Sequence, residues 1–157
     1  MSVACARMTE ATKADARALL GAFLGDDAHY LASAAVYGDG GAEALDRALD
    51  LFLARPEIGF VWLARSGDDA VGACVVCRAI STSRGGIVAK LDVVTIRPGW
   101  QGRGIGGAML EALAAHLRGE GASRIDTACH RDNAGAWRFY ERQGYQPLDE
   151  ERIAKLL

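Results

Sequence analysis

The stretch Val93-Val94-Thr95-Ile96-Arg97-Pro98-Gly99-Trp100-Gln101-Gly102-Arg103-Gly104-Ile105-Gly106-Gly107 constrains the fold of this chain more than any other. A β-branched run stops at Arg97-Pro98-Gly99, five glycines fall within the nine residues Gly99 to Gly107, and an amphipathic pattern then begins. Proline cannot continue a ladder and glycine lifts backbone limits, so the order reads strand, tight loop, helix. Glycines let backbone N–H groups come close to a bound group. A helix N-terminus adds unpaired donors and a partial positive charge. Together they suit an anion, and a pyrophosphate above all.

The rest of the chain supplies the frame. Val3–Thr9 reads as a short strand. A helix to about Leu24, capped by Thr9 or Thr12, presents Ala16, Leu19, Leu20 and Phe23 at helical spacing. A short helix to Val36 follows, then a Gly-Asp-Gly-Gly break and a helix from Ala42 to Ala54. Phe60–Arg65, Ala70–Ile80 and Ile87–Ile96 form a three-strand meander, with Ser66-Gly67-Asp68-Asp69 as its first turn. A helix from Gly104 to Arg118, a strand Arg124–Cys129 and a helix Asn133–Gln143 complete the alternation. Two closing strands are expected, one after Gly144-Tyr145 and one over Arg152–Leu157. The economical reading is one α/β (mixed α+β) domain over residues 1–157. Its mixed, mostly antiparallel sheet is flanked by helices.

Composition bounds the function classes. The chain has 157 residues, which suits one core. Its net charge is -2, which gives no electrostatic footprint for nucleic acid. No apolar run reaches the roughly 20 residues that span a bilayer. With no secretory pattern at Met1–Arg7, a cytoplasmic protein away from membranes is expected. Cys74-Val75-Val76-Cys77 lies in a strand run, where residues three apart face opposite ways. No second close pair accompanies it, so inert thiols and no metal are expected. Residues 1–78 carry 7 basic and 11 acidic groups, and residues 79–157 carry 11 and 9. Either this imbalance favours a phosphate-bearing partner on one half and a cation on the other, or it is scatter.

The loop spacing excludes two cradles. A P-loop needs Lys and Ser or Thr after its last glycine, and Ala108-Met109 stands there instead. The dinucleotide fingerprint belongs to an early first strand, whereas this loop lies two-thirds along the chain. What remains, Gln101-x-x-Gly104-x-Gly106, resembles the Q/R-x-x-G-x-G/A cofactor motif of the GNAT N-acetyltransferase superfamily. Val94-Thr95-Ile96-Arg97-Pro98 is similar to that family's preceding strand end. Downstream, Asn133-x-x-Ala136-x-x-Phe139-Tyr140-x-x-x-Gly144-Tyr145 matches its N-x-x-A-x-x-F/L-Y-x-x-x-G-F/Y element.

The resemblance implies acetyl-CoA as co-substrate and acetyl transfer to an amine. It places the CoA pyrophosphate on the backbone of Gln101, Gly102, Arg103, Gly104, Ile105, Gly106 and Gly107, with Arg103 near phosphate. It pairs the pantetheine arm with Val94 and Ile96 around Thr95, like an added strand. Asn133 and Ala136 face the arm from the other side. A backbone N–H at Val94 serves the oxyanion, and Tyr140 matches the tyrosine that protonates the leaving thiolate. Asp92 matches a position where many relatives carry Glu or Asp, and it is the base candidate, directly, through water, or by attracting the cation. The adjacent acid pair of polyamine-acetylating relatives is absent, because Val93 follows Asp92.

The acceptor side is expected between Asp26 and Glu57, where seven acids stand against Arg47 and Arg55, with His29, Tyr30 and Tyr37 as wall residues. A small-molecule amine is the first expectation. A protein amine and a non-catalytic acyl-CoA sensor are the alternatives. Arg152–Leu157 is read either as an edge pairing two copies into a homodimer or as part of one chain's own sheet.

Overall fold

The computed structural model describes residues 2–157. Its centre is a five-stranded sheet in chain order: β1 (Ala4–Arg7), β2 (Gly59–Ser66), β3 (Asp69–Ser81), β4 (Gly86–Ile96) and β5 (Ile125–Thr127). The first three pairings are antiparallel and β4 with β5 is parallel, which is the mixed sheet expected.

Two helical layers cover it. On one face lie α1 (Lys13–Asp26) and, after the single turns α2 (Ala28–Leu31) and α3 (Ala34–Tyr37), the helix α4 (Gly41–Ala54). Ala16, Leu19 and Leu20 of α1 and Leu49 of α4 bury against Val61, Leu63 and Ala73. On the other face lie α5 (Ile105–Gly119) and α6 (Ala134–Arg142). Ile105, Met109, Leu113 and Leu117 recur at helical spacing and pack on Trp62, Cys74, Val76 and Leu91. Burying such side chains contributes about 1.5–3 kcal/mol each.

Two bulges break the ladder. Arg65 pairs with Ala70 and Ala64 with Gly72, so Val71 is extra on β3. Cys74 pairs with Val94 and Val76 with Leu91, so Asp92 and Val93 together oppose Val75. The second bulge resets the alternation of β4. Leu91 packs on the α5 face, Val93 joins the α1 face, and Val94 and Ile96 return to the α5 face.

The tail differs from expectation. No strand forms between Gly144 and Leu157. Pro147 removes a ladder donor, and Asp149-Glu150-Glu151-Arg152 offers no apolar face to bury. The tail instead pairs Glu151 with Arg131, lays Arg152 over the Tyr37 ring and rests Leu156 on Gly38. Residues 152–157 form no strand of this chain's own sheet.

Candidate active site

The sheet opens where β4 and β5 part. The parallel ladder covers only Ala89–Leu91 against Ile125–Thr127. At its end the Thr127 hydroxyl donates to the Leu91 carbonyl at 2.9 Å and closes the ladder. From Asp92 to Ile96 β4 has no neighbour on this side. Arg97 N–H donates to Val71 O on the β3 side at 2.8 Å. By alternation, Val94 and Ile96 turn their N–H and C=O groups toward the gap. Without the bulge the opposite residues would face it.

The gap continues as a cleft of about 1520 Å³. Asp92, Val94, Asn133, Ala136 and Tyr140 line it together. His29, Tyr30 and Tyr37 form part of its other wall, as expected from sequence. Thr95 stands apart, in a small hollow of about 220 Å³ with Ala18, Leu19 and Arg97. Ile96 packs in the α5-face core, and Gln101–Gly107 lie outside the cleft lining.

Tyr140 is positioned by how α6 ends. Asn133 caps the start, its side-chain oxygen accepting the Ala136 N–H at 3.1 Å. At the end Gly144 adopts φ 88. Tyr145 N–H donates to Tyr140 O and Gly144 N–H to Glu141 O, each at 3.0 Å. That is the Schellman pattern, and the Tyr140 and Tyr145 rings supply its hydrophobic contact at 5.3 Å. Asn133, Ala136, Gly144 and Tyr145 thus have structural reasons for their spacing, and the side-chain oxygen of Asn133 is committed to the cap. Tyr140 itself is 9% exposed. Burial pushes its phenol above its ordinary range, opposed in part by the Thr127 hydroxyl.

The glycine loop has two kinds of glycine. Gly104 precedes α5 with φ 77, and Gly102 has φ 74. Around both, a Cβ would meet nothing within 4 Å, so these two serve conformation and open space. Gly106 is different, because a Cβ there would sit 3.1 Å from the Phe139 ring. It lets α6 close on α5, and Gly107 does the same toward Gln143. Among the described residues, no backbone N–H from Gln101 to Gly107 meets an acceptor of the protein. Arg103 stacks over Trp100, 5.0 Å from the ring centroid, with its side chain exposed.

The acidic surplus between Asp26 and Glu57 is largely consumed by the fold. Asp27 accepts the Tyr30 N–H at 2.8 Å, and Asp39 holds the Tyr30 hydroxyl and the Gly41 N–H. Asp46 pairs with Arg17 at 2.6 Å, Asp50 with Lys13, and Glu57 with Arg55 at 2.6 Å. Asp92 is exposed on the cleft wall and has no ion-pair partner among the described residues. The Cys74 thiol is buried and pushed far up by desolvation; Cys77 is half-buried and also raised. Among the described residues no group of three metal-ligating side chains forms. No described helix is long and apolar enough to cross a membrane.

The sequence model of the acetyltransferase (GNAT) family matches residues 26–145, which hold the opened β4, the glycine loop and the capped α6. The chain belongs to the GNAT acetyltransferase family. A mycothiol acetyltransferase of Beutenbergia cavernae is 30% identical over 89 residues, covering 56% of this chain and 29% of that protein. An uncharacterized N-acetyltransferase of Methanocaldococcus jannaschii is 26% identical over 107 residues, covering 61% of this chain and 46% of that protein. This GNAT chain thus matches less than half the length of either relative. AAC(6')-Iy, solved with the bisubstrate analog CoA-S-monomethyl-acetylneamine, shares the fold with a TM-score of 0.77. It is 11% identical, with 100% of this chain and 99% of that one covered. Thr127, Cys129 and His130 also line the cleft of this GNAT chain. They carry no motif, and only the parting of β4 and β5 brings them there.

Proposed function

We propose that the chain is an N-acetyltransferase that moves the acetyl group of acetyl-CoA to a primary amine of a small molecule. It acts as one domain, in the cytoplasm, and without a metal. The observation that carries this reading is the opening of β4 beyond Leu91, with a buried tyrosine on the facing helix.

The substrates have matching surfaces. The free N–H run from Gln101 to Gly107 suits the CoA pyrophosphate, with Arg103 close enough in sequence to add charge. Val94 and Ile96 offer a strand edge to the pantetheine amides on either side of Thr95, and Ala136 leaves room beside it. The Val94 N–H is the donor for the oxyanion.

Transfer needs a neutral amine. A lysine-like amine, with a pKa near about 10.4, is mostly protonated at neutral pH. Asp92, exposed on the cleft wall, draws the ammonium to the end of β4. The amine lone pair then forms the N–C bond as the C–S bond breaks. Tyr140 gives its phenolic proton to the departing sulfur and regains one from the new amide nitrogen. Burial keeps that phenol protonated well past neutral pH, which an acid requires.

The test is thiol release from acetyl-CoA with a panel of primary amines. Asp92→Asn should raise the KM of the amine by up to about fivefold, the usual range for an exposed charge pair, with little change in kcat. An unchanged KM would remove Asp92 from the site.

A further inference from the structure

Two imidazoles meet across the cleft. His29 stands on α2, beyond the end of α1, and His130 on the loop between β5 and α6. Their ring centroids are 5.1 Å apart with the planes at 37°. Both line the cleft that holds Asp92, Val94 and Tyr140.

The two rings are not equivalent. His130 Nδ1 accepts the Asp132 N–H at 3.2 Å, which engages the lone pair of its neutral ring. The Asp132 carboxylate lies 3.9 Å from the same nitrogen. His29 is half-buried, and among the described residues neither of its nitrogens has a hydrogen-bond partner. A phenyl ring would fill the same contact with His130. What histidine adds is a basic nitrogen in a cleft wall.

We propose that His29 accepts the proton of the incoming ammonium, with His130 positioning its ring. This rests on the acetyl-transfer reading above. The bound ammonium gives one N–H proton to the free nitrogen of His29, the bonding pair stays on the amine nitrogen, and the imidazolium later returns that proton to water. A neutral imidazole carries an in-plane lone pair that accepts a proton, and the ring nitrogens of His29 have no hydrogen-bond partner among the described residues to occupy it. The exposed Asp92 carboxylate, with no ion-pair partner among the described residues, is placed to anchor the cation.

The surrounding charges divide the work. Asp27 is committed to capping α2, and Arg131 is paired with Glu151. Arg152 of the tail lies over Tyr37, and the Tyr30 phenol is held by Asp39. Asp132 stays with His130, which leaves Asp92 as anchor and His29 as acceptor.

The experiment is the pH profile of thiol release from acetyl-CoA with putrescine, glucosamine and lysinamide, for the full chain and for His29→Gln. Calorimetry with acetyl-CoA accompanies each protein. The proposal predicts at least about a tenfold fall in kcat at pH 7, with KM for the amine and affinity for acetyl-CoA near wild type. The gap should close as pH rises toward the pKa of the amine, because neutral amine then arrives from solution. A loss that is the same at every pH, or no loss, overturns the proposal. So does a wild-type protein that binds acetyl-CoA and acetylates none of the three amines. Failure of the wild type to bind acetyl-CoA would overturn the transfer reading itself, and this proposal with it.

Discussion

At the scale of single residues, Tyr140 carries most of the chemistry. Its backbone carbonyl ends α6 and its ring packs against Tyr145, so its position is fixed by the helix terminus. Its hydroxyl lies beside Thr127 in the cleft, so removing it leaves the ring packing in place. Tyr140→Phe should therefore lower turnover about a hundredfold, in the usual range for a lost general acid, while affinity for acetyl-CoA stays within about twofold. Thiol-release kinetics and calorimetry on the same protein check both halves. Unchanged turnover would remove Tyr140 as the acid. The spacing from Asn133 to Tyr145 was legible in the sequence because a cap, a buried ring and a Schellman glycine each demand a residue type. Thr127 and His130 were not legible, because no local rule marks a residue that matters only once two strands diverge.

At the scale of elements, the strand–loop–helix unit of β4 and α5 does the positioning. The Asp92–Val93 bulge turns the backbone groups of Val94 and Ile96 toward the gap, and Gly104, with φ 77, starts α5 with no side-chain cap on its first N–H groups. Sequence marked both ends of this unit, since Pro98 and the glycines are visible punctuation. It did not mark the bulge, because Leu91, Asp92, Val93 and Val94 read as one β run and the extra residue appears only against β3. Nor did it separate Gly104 from Gly106, although one sets backbone geometry and the other makes room for Phe139. The short apolar runs after Gly144 suggest closing strands, but Pro147 and the charges at 149–152 keep them from pairing. Gly104→Val should weaken acetyl-CoA binding at least about a hundredfold, because a β-branched residue strains at φ 77 and fills the space before the free N–H groups. Calorimetry and circular dichroism check it, and wild-type affinity in a folded variant would sink the cradle.

At the scale of the whole molecule, two helical layers hold a sheet that is closed at β1–β4 and split at its β5 end. Burial around the split also sets a pH limit. The Tyr30 and Tyr145 phenols are pushed up to about 12, each mainly by burial, and Tyr140 is raised by the same cause. An unfolded chain loses these protons near about pH 10, whereas the folded one keeps them. Their contribution to stability is therefore present below about pH 10 and is lost as pH climbs toward 12. Phenolate absorbance should show the buried Tyr140 and Tyr145 ionising together with the loss of circular dichroism, above about pH 11. Reversible ionisation of all four tyrosines near about pH 10 in an intact fold would contradict this burial.

The central claim is that the split sheet and the glycine loop together bind acetyl-CoA. Calorimetric titration of the purified chain with acetyl-CoA tests it most directly. Saturable one-to-one binding in the micromolar range is expected, weakened at least about tenfold when acetyl-pantetheine, which lacks the pyrophosphate and the nucleotide, replaces the whole molecule. Absence of saturable binding up to about millimolar acetyl-CoA, roughly 4 kcal/mol of affinity, would contradict it.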